Sequence, residues 1–400
     1  MKITYTEKIL LTFFSPLLVK RIRKFKTLRR GYYSFLIITG LYFLSFFSEY
    51  FINGNALIVK YDGSYYFPIF RTIPLKKEII RLDTEARKAY TALRDKYDSN
   101  PEEEQARLKP ELDALKLKYE KYEEQKKYSQ NYRLLKKLFS TQNEGNWLIL
   151  PIYPYSPNEN LLDELVSNPP THPDNIHFFG TDDRGRDVFA RLVYGFRISM
   201  SFALILTLIS YIIGIAVGAF LGYYGKKIDF FGVRLIEIWS GLPFLYTVMI
   251  VSSIVIPSFF LLIFILTFFS WMGVSYYIRG EFLREKSKDY VLAAVAIGLS
   301  DRLIIFRHIL PNALTPVIAF LPFTIVGAIS SLVSLDFLGF GLPQPTPSWG
   351  ELLGQGSRAL NCWWLGLAPV SALFLTLMLV TFIGEAIREA FDPRIYSRLR

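Results

Sequence analysis

The chain has one cysteine, Cys362, and three histidines among its 400 residues. A single cysteine excludes a scaffold built on disulfides. His172 and His177, with Asp174 between them, could be imagined as metal ligands, but no H-E-x-x-H helix accompanies them, and a structural role is the better interpretation. The sequence also lacks a G-x-x-x-x-G-K-[ST] phosphate-binding loop and a G-x-S-x-G nucleophile motif. We therefore expect a chain that is not an enzyme and that itself binds no metal or cofactor.

Apolar and basic residues are in excess. Hydrophobic residues make up 51% of the chain, and 34 Phe and 25 Tyr exclude a disordered chain. Lys and Arg number 46 against 35 Asp and Glu, which gives a net charge of +11. Such a charge is typical of nucleic-acid binding or of the cytoplasmic side of a membrane protein, and its location distinguishes the two.

Six apolar segments are long enough to cross a membrane, which takes about 20 residues. They are nearly free of charge, and Trp and Tyr gather at several of their ends, as they do at membrane interfaces. Buried helices of a large soluble core are the alternative, and six such segments disfavour it. The predicted spans are Tyr33–Ile52, Ile198–Tyr223, Ile238–Ile256, Phe259–Ile278, Ala313–Leu335 and Trp364–Ile383. The sequence thus predicts an all-α membrane protein with six transmembrane helices.

The basic residues indicate the orientation of these spans. Residues 1–31 contain nine Lys and Arg and one acidic residue, so the N-terminus is expected in the cytoplasm. Six spans then place the C-terminus and the short basic loops there as well. The predicted organisation is a cytoplasmic segment 1–32, a first span 33–52, an extracytoplasmic insert 53–197, a transmembrane core 198–385 and a cytoplasmic tail 386–400.

The insert has a strongly charged middle part. Residues 71–140 contain 18 basic and 13 acidic residues, and apolar residues recur at spacings of three and four on both sides of Asn100-Pro101. This pattern predicts an antiparallel helical hairpin at about 72–140. The hairpin could be a docking arm or an inert spacer, and its mixed charge disfavours nucleic-acid binding.

The loop between the fourth and fifth predicted spans contains a short helix with small residues. Asp289 begins the helix, and Ala293 and Ala294 present almost no side chain. Gly298 can take the left-handed conformation that ends a helix, and Ser300 can cap the next one. Such a helix suits a groove on a cytoplasmic partner; the alternative is an ordinary connection between two spans.

This loop, residues 285–311, resembles the EAA coupling loop of ABC importer permeases, which docks the permease onto its ATPase. The shared residues are Ala293 and Ala294, Gly298 four positions on, and Leu310 and Pro311 at the end. Leu292 stands where the family motif has a glutamate. The resemblance implies that Ala293, Ala294, Gly298, Arg302, His308, Leu310 and Pro311 form or support the contact with the ATPase.

Further motifs resemble the C-type permeases of dipeptide and oligopeptide importers. The segment FGTDDRGRD, before the second span, supplies Gly180, Thr181, Asp182, Gly185, Arg186 and Asp187. The loop before the last span supplies Gly339, Gly341, Pro345, Pro347 and Trp349. The tail motif 388–394 is similar as well, and the motifs at 15–17, 29–32 and 61–68 resemble the microcin C-type branch. The charged hairpin has no counterpart in this resemblance.

The resemblance implies a type I ABC importer permease in the bacterial cytoplasmic membrane, serving peptides or peptide-like solutes. Its partners would be a sister permease, two ATPase subunits or a fused pair that hold ATP and Mg²⁺, and an extracytoplasmic solute-binding protein. The stretch Phe337–Gly350 would then cover the outer mouth, on the side of the binding protein.

Two alternatives come from other classes of protein. A secondary transporter driven by an ion gradient would carry inverted repeats and ionisable residues at the membrane midplane, and the sequence shows neither. A membrane receptor or tether would work through the charged hairpin.

Overall fold

The computed structural model describes residues 16–61, 63–69, 74–142 and 145–392. It divides into two compact units: a smaller one, residues 46–164, and a larger one formed by the chain before and after it. The smaller unit ends at Glu164, whereas the sequence predicts an insert that reaches residue 197. The difference arises because the segment from Leu165 onward packs with the helices of the larger unit.

Helices form most of both units. In chain order the elements are α1 (Pro16–Thr27), α2 (Arg29–Ser45), α3 (Ser48–Phe51), β1 (Ile58–Tyr61), β2 (Ser64–Tyr66), α4 (Pro74–Ser99), α5 (Glu102–Gln130), α6 (Tyr132–Gln142), β3 (Trp147–Ile149), α7 (Val188–Tyr224), α8 (Lys226–Ser240), α9 (Phe244–Ile254), α10 (Phe259–Lys286), α11 (Asp289–Ala296), α12 (Asp301–Leu303), a π-helical segment (Ile304–Ile309), α13 (Leu310–Ile318), α14 (Leu321–Leu338), α15 (Trp349–Arg358) and α16 (Trp363–Phe391).

Four helices in the described part of the chain are long and apolar enough to cross a membrane: α7, α10, α14 and α16. A fifth candidate is the pair α8 and α9, whose axes are bent by 64°. Helices suit hydrocarbon because each satisfies its own backbone N–H and C=O groups, which find no water there.

Three of the predicted spans differ in detail from the helices that the structure shows. The predicted span Ile238–Ile256 is interrupted between α8 and α9, at Gly241 and Pro243, because proline has no N–H to donate and disfavours helical backbone in the residue before it. The first predicted span corresponds to the 17-residue helix α2 followed by α3. The fifth predicted span falls on two helices, α13 and α14, separated at Ala319 and Phe320.

Helices α7 and α10 pack against each other along an extensive interface in the larger unit. Gly214, Gly218 and Gly222 recur every fourth residue along α7 and face α10. A Cβ on Gly214 would lie 2.6 Å from Cβ of Val274, and a Cβ on Gly222 would lie 2.6 Å from Cβ of Phe282. The missing side chains let the two backbones approach closely, which is how apolar helices gain packing energy where lipid supplies no hydrophobic driving force.

The smaller unit contains a three-stranded antiparallel sheet with the order β2-β1-β3. Val59 of β1 pairs with Tyr66 of β2 and with Leu148 of β3, and α6 packs on the sheet through Leu135 and Phe139. The all-α prediction is therefore wrong for this unit. Its strands have only three or four residues, too few to show the alternation by which a strand is recognised in sequence.

The predicted helical hairpin corresponds to α4 and α5, which pack against each other. The rings of Tyr90 and Tyr119 stack with centroids 5.8 Å apart and planes 4° apart. Helix α5 continues through Pro110 and ends at Gln130. The second arm therefore stops short of residue 140, because the chain from Tyr132 onward belongs to the core beneath the sheet.

Candidate coupling and ion-pair sites

The short helix α11 has one face against the protein and one facing outward. Val291 and Ala294 are 1% and 4% exposed and pack in the core of the larger unit. Leu292, Val295 and Ile297 are 55%, 55% and 75% exposed. Residues three apart on a helix share a face, so burial of Val291 and Ala294 turns the apolar residues beside them outward. Outside a membrane-spanning segment, such a face is typical of an interface.

Gly298 ends the short helix in the predicted left-handed conformation, with φ of 79°. Its N–H donates to the carbonyl of Val295 at 3.0 Å, and the N–H of Leu299 donates to the carbonyl of Ala294 at 3.2 Å. A Cβ at Gly298 would meet no atom within 4 Å. Backbone conformation, and not space, therefore favours glycine here.

Hydrogen bonds from Tyr290 and Asn312 fix the position of α11. The Tyr290 hydroxyl donates to Glu285 Oε2 at 2.7 Å, at the end of α10. Asn312 Nδ2, in α13, donates to the Tyr290 hydroxyl at 3.1 Å and to the carbonyl of His308 at 2.9 Å. Burial raises the pKa of Tyr290, and the bond to Glu285 raises it further, so the phenol stays a neutral donor. The network joins α10, α11 and α13.

A second connection links α7 to the start of α12. The Tyr223 hydroxyl donates to Asp301 Oδ1 at 2.6 Å, whereas Ser300 occupies the cap position without a side-chain cap bond. Of the other residues predicted for coupling, Ala293, Arg302 and Pro311 are exposed, Leu310 and His308 are half-buried, and Ala294 is buried.

The FGTDDRGRD segment contributes to a buried group of charges, which we name the ion-pair cluster: Asp182, Arg186, Arg191 and Glu351. Arg186 donates from Nε to Asp182 Oδ2 at 2.6 Å and from Nη2 to Glu351 Oε1 at 2.8 Å. Arg191 is fully buried, donates to Glu351 and lies 3.5 Å from Asp182. Burial alone would lower the pKa of Arg186, but the charges of Asp182 and Glu351 outweigh it and raise that pKa. Arg186 therefore stays charged, and the guanidinium groups of both arginines are paired with carboxylates.

The other predicted residues of this segment shape its backbone. Gly180 and Gly185 have φ of 66° and 72°, where glycine is favoured. Asp187 caps α7, because its Oδ1 accepts from the N–H of Ala190 at 2.8 Å. The carbonyl of Thr181 accepts from Trp364 Nε1 at 3.1 Å. The segment is thereby held against both α7 and α16.

The loop between α14 and α15 packs onto the start of α7. Arg191 Nη1 donates to the carbonyl of Pro345 at 3.4 Å. Trp349 is 2% exposed and donates from Nε1 to the carbonyl of Leu192 at 2.9 Å. Gly339 ends α14 with φ of 83°, and Gly341 and Pro347 are buried. In this chain, Trp349 is thus a buried anchor for the loop.

Sequence reasoning did not assign a role to Arg191, Glu351 or Asp336. Asp336 organises the loop, because its carboxylate accepts from the N–H of Leu342 at 2.7 Å and from Ser348 Oγ at 2.5 Å. A charged residue inside or beside an apolar segment was the available signal, since such charges are rare in membrane helices and are usually paired.

The histidines take part in structural contacts. Nδ1 of His177 lies 2.8 Å from Asp187 Oδ2, and the ring of His172 lies 4.4 Å from the ring of Trp364. Among the described residues, no group of three or more His, Cys, Asp and Glu side chains could hold a metal ion.

Comparisons with known proteins identify the class of this chain. Residues 214–397 match the family described as binding-protein-dependent transport system inner membrane component. The inner membrane ABC transporter permease protein YejE of Escherichia coli K12 is 39% identical, covering 95% of this chain and 98% of its own length. The peptidoglycan transport system permease protein YejE of Agrobacterium fabrum is 36% identical over 95% and 94%. The oligopeptide transport system permease protein OppC of Haemophilus influenzae is 37% identical over 58% and 74%.

The chain belongs to this family of ABC transporter permeases, within the dipeptide/oligopeptide type. It is an integral inner-membrane protein and a non-catalytic subunit, and ATP hydrolysis takes place on separate subunits. A binding protein and an ATPase are the partners that membership implies. Neither the secondary transporter nor the receptor is supported by these relatives.

Proposed function

We propose that the chain is one of two permeases that together form the pathway of an importer for peptides or peptide-like solutes. The names of its relatives support this solute class: oligopeptides for OppC and peptidoglycan for the Agrobacterium fabrum protein. The proposed six spans are α2, the pair α8 and α9, α13 with α14, and the single helices α7, α10 and α16. At 17 residues, α2 rises about 26 Å, close to the hydrocarbon thickness that a membrane helix must match.

The proposed orientation places both termini and the α11 loop in the cytoplasm. The basic residues before α2 support it, because short basic segments remain inside. The smaller unit would then lie outside the membrane. The chain would bind no cofactor of its own, with ATP and Mg²⁺ held by the ATPase subunits.

The outward apolar face of α11 carries the proposed coupling to the ATPase. Leu292, Val295 and Ile297 are exposed, and the network around Tyr290 ties α11 to α10 and α13. A movement of the ATPase could therefore be transmitted to membrane helices through hydrogen-bonded connections, without a flexible linker.

Ile297→Asp tests this assignment. The side chain is 75% exposed, so the change leaves the fold intact. A carboxylate in an apolar interface costs a few kcal/mol of binding free energy, so the ATPase recovered with the affinity-purified permease should fall by about tenfold or more.

Ile152→Asp is the matched control, because Ile152 is 86% exposed and lies in the smaller unit. It should leave ATPase recovery at the wild-type level. Normal recovery with Ile297→Asp would refute the coupling role of this face, and absence of any ATPase from the wild-type preparation would refute the proposed assembly.

A further inference from the structure

A cavity of about 340 Å³ lies between α7, α9, α10 and α14 in the larger unit. Ser210 of α7, Ser270 of α10, and Gly327 and Ser331 of α14 are among its lining residues. Ser210 and Ser270 fall near the middle of the spans Ile198–Tyr223 and Phe259–Ile278. The cavity is therefore at the depth of the membrane midplane if these helices cross as proposed.

The Ser210 hydroxyl is a buried polar group of this cavity for which the described structure shows no partner. Ser210 is fully buried, and its Oγ makes no hydrogen bond within the described structure. Ser270 differs, because its hydroxyl donates to the carbonyl of Leu266 at 2.7 Å, as serines in membrane helices commonly do. A buried hydroxyl without a partner is costly, so a ligand with a hydrogen-bonding group would be favoured beside Ser210.

The broken helix pair adds a second observation at the same place. Phe244, the first residue of α9 after the interruption at Gly241 and Pro243, also lines the cavity. Irregular backbone at membrane depth is tolerated where it is buried in protein or lines a water-filled cavity. An interruption beside an open cavity fits an aqueous path better than a contact with lipid.

The lining determines the chemical class of the ligand. None of the ten lining residues in the described structure is charged, and apolar side chains such as Leu206, Leu266 and Phe269 alternate with hydroxyl groups. A charged group would be left without a counter-ion here, at a high cost in free energy. A lipid chain would leave Ser210 unsatisfied, whereas a peptide amide could pair with it while apolar side chains contact the walls.

We propose that this cavity is a contact site for the transported solute, in which Ser210 hydrogen-bonds uncharged groups such as peptide amides. The proposal rests on the proposed function in peptide uptake. It assigns to this chain solute contact within the membrane, in addition to any recognition by the binding protein.

Two cysteine variants test whether the cavity belongs to an aqueous path. Ser210→Cys and Ser275→Cys are matched, since both serines are fully buried with unpartnered hydroxyls, but Ser275 does not line the cavity. Both are made in a chain with Cys362→Ser and assembled with the partner subunits. During ATP turnover, a charged methanethiosulfonate reagent should modify the thiol at 210 about tenfold faster than the one at 275, since thiol reactivity follows access.

Equal rates for the two thiols would show that a second permease covers the cavity. Modification of the thiol at 210 by N-ethylmaleimide alone would show that lipid fills it. Either result overturns the proposal.

Two glycine variants test contact with solute. A Cβ at Gly327, in the cavity, or at Gly273, outside it, would meet no atom within 4 Å, so the two positions are matched in the room they leave for the first side-chain atom of a leucine. The assay is ATP-dependent uptake of a defined mixture of short Ala, Gly, Lys and Glu peptides into proteoliposomes, measured by mass spectrometry. Gly327→Leu should reduce uptake about tenfold with ATPase recovery unchanged, and Gly273→Leu should stay within about twofold of wild type, because only the first occupies the proposed site.

The outcomes separate the two proposals. If Gly327→Leu transports as well as Gly273→Leu, the solute site is refuted while the peptide importer stands. If the assembled wild-type transporter takes up none of the peptides, the proposed solute class fails, and the solute site fails with it.

Discussion

Each of the two units contains a buried arginine paired with two carboxylates, and the two arrangements differ in what they join. In the smaller unit, Arg133 is 8% exposed and donates to Glu159 Oε1 at 2.7 Å and to Glu164 Oε1 at 2.6 Å. Its guanidinium lies 4.5 Å from the centre of the Tyr155 ring. We name these four residues the Arg133 cluster. All of them lie within 31 residues of one another in sequence.

The ion-pair cluster of the larger unit joins distant parts of the chain. Arg191 and Glu351 are 160 residues apart, at the start of α7 and in α15. The carboxylates of this cluster, Asp182 and Glu351, have side-chain exposures of 0% and 15%, whereas those of the Arg133 cluster, Glu159 and Glu164, keep 24% and 21%. The same kind of ion pairing therefore joins segments at most 31 residues apart in the smaller unit and joins the start of α7 to the distant helix α15 in the larger one. Breaking a cluster should therefore lower the free energy of unfolding more when the cluster is more deeply buried and joins residues farther apart in sequence.

Glu351→Ala should have the largest effect. It leaves Arg186 and Arg191 in a buried site with one carboxylate, Asp182, between them, and removal of one partner from a buried pair costs about 3–5 kcal/mol. We expect a much lower midpoint of thermal unfolding in detergent and loss of peptide uptake. The control is Glu237→Ala, because Glu237 forms an exposed pair with Arg234 and should change stability by less than about 1 kcal/mol. Equal effects would show that burial does not set the cost.

Gly180→Ala should rank second. Gly180 precedes the ion-pair cluster at φ of 66°, and a Cβ there would overlap the carbonyl oxygen of Thr171, which is backbone and cannot move aside. Strain and overpacking together should cost about 2–4 kcal/mol of unfolding free energy.

Gly54→Ala makes the matched change beside the Arg133 cluster. There the Cβ would meet the carboxylate of Glu159, the flexible end of a side chain, and Gly54 has no positive φ. The loss should stay below about 1 kcal/mol, measured by thermal unfolding as for Gly180→Ala. A larger loss at Gly54 would mean that the Arg133 cluster is the more rigid of the two.

The helices of this protein could be predicted from the sequence more completely than the ion-pair cluster and the Arg133 cluster. The apolar segments of α7, α10 and α16 and the start of α11 were predictable, because hydropathy and helix-end residues act locally. Gly241 and Pro243 also mark the interruption between α8 and α9 in the sequence, but hydropathy alone predicts one continuous span there. The left-handed end at Gly298 needed only its position after a short helix.

The pairing of Arg191 with Glu351 could not be predicted from local sequence patterns. No periodicity relates two residues 160 positions apart, so their contact depends on how α7 and α15 pack. The three short strands were not predicted for a different reason: β1 is recognised as a strand through its pairing with β2 and β3, and its own four residues carry no clear pattern. Contacts between segments that are distant in sequence thus could not be predicted from the sequence.

Arg133→Met should have a moderate effect confined to the smaller unit. Methionine keeps part of the apolar stem, and the two glutamates left behind are partly hydrated, so we expect a loss of about 1–2 kcal/mol. Limited trypsin digestion should show faster cleavage within residues 46–164, while the ATPase recovered with the purified permease stays unchanged. Loss of ATPase recovery would contradict the local character of this cluster.

The smallest expected effect is a pH-dependent gain from Asp183→Asn at the edge of the ion-pair cluster. Burial, and after it the negative charge of Asp182, raises the pKa of Asp183. A carboxyl whose pKa is raised by folding is uncharged in both states in acid, so it costs nothing there. It destabilises the folded state increasingly as the pH rises from the unfolded pKa to the folded pKa, and fully above the folded pKa. Asp183→Asn should therefore raise the midpoint of thermal unfolding slightly at neutral pH, and the gain should disappear as the pH falls to about 4. The control is Asp95→Asn, at an exposed position on the hairpin. A gain in the unfolding midpoint for Asp183→Asn that grows as the pH falls would contradict the predicted pH dependence.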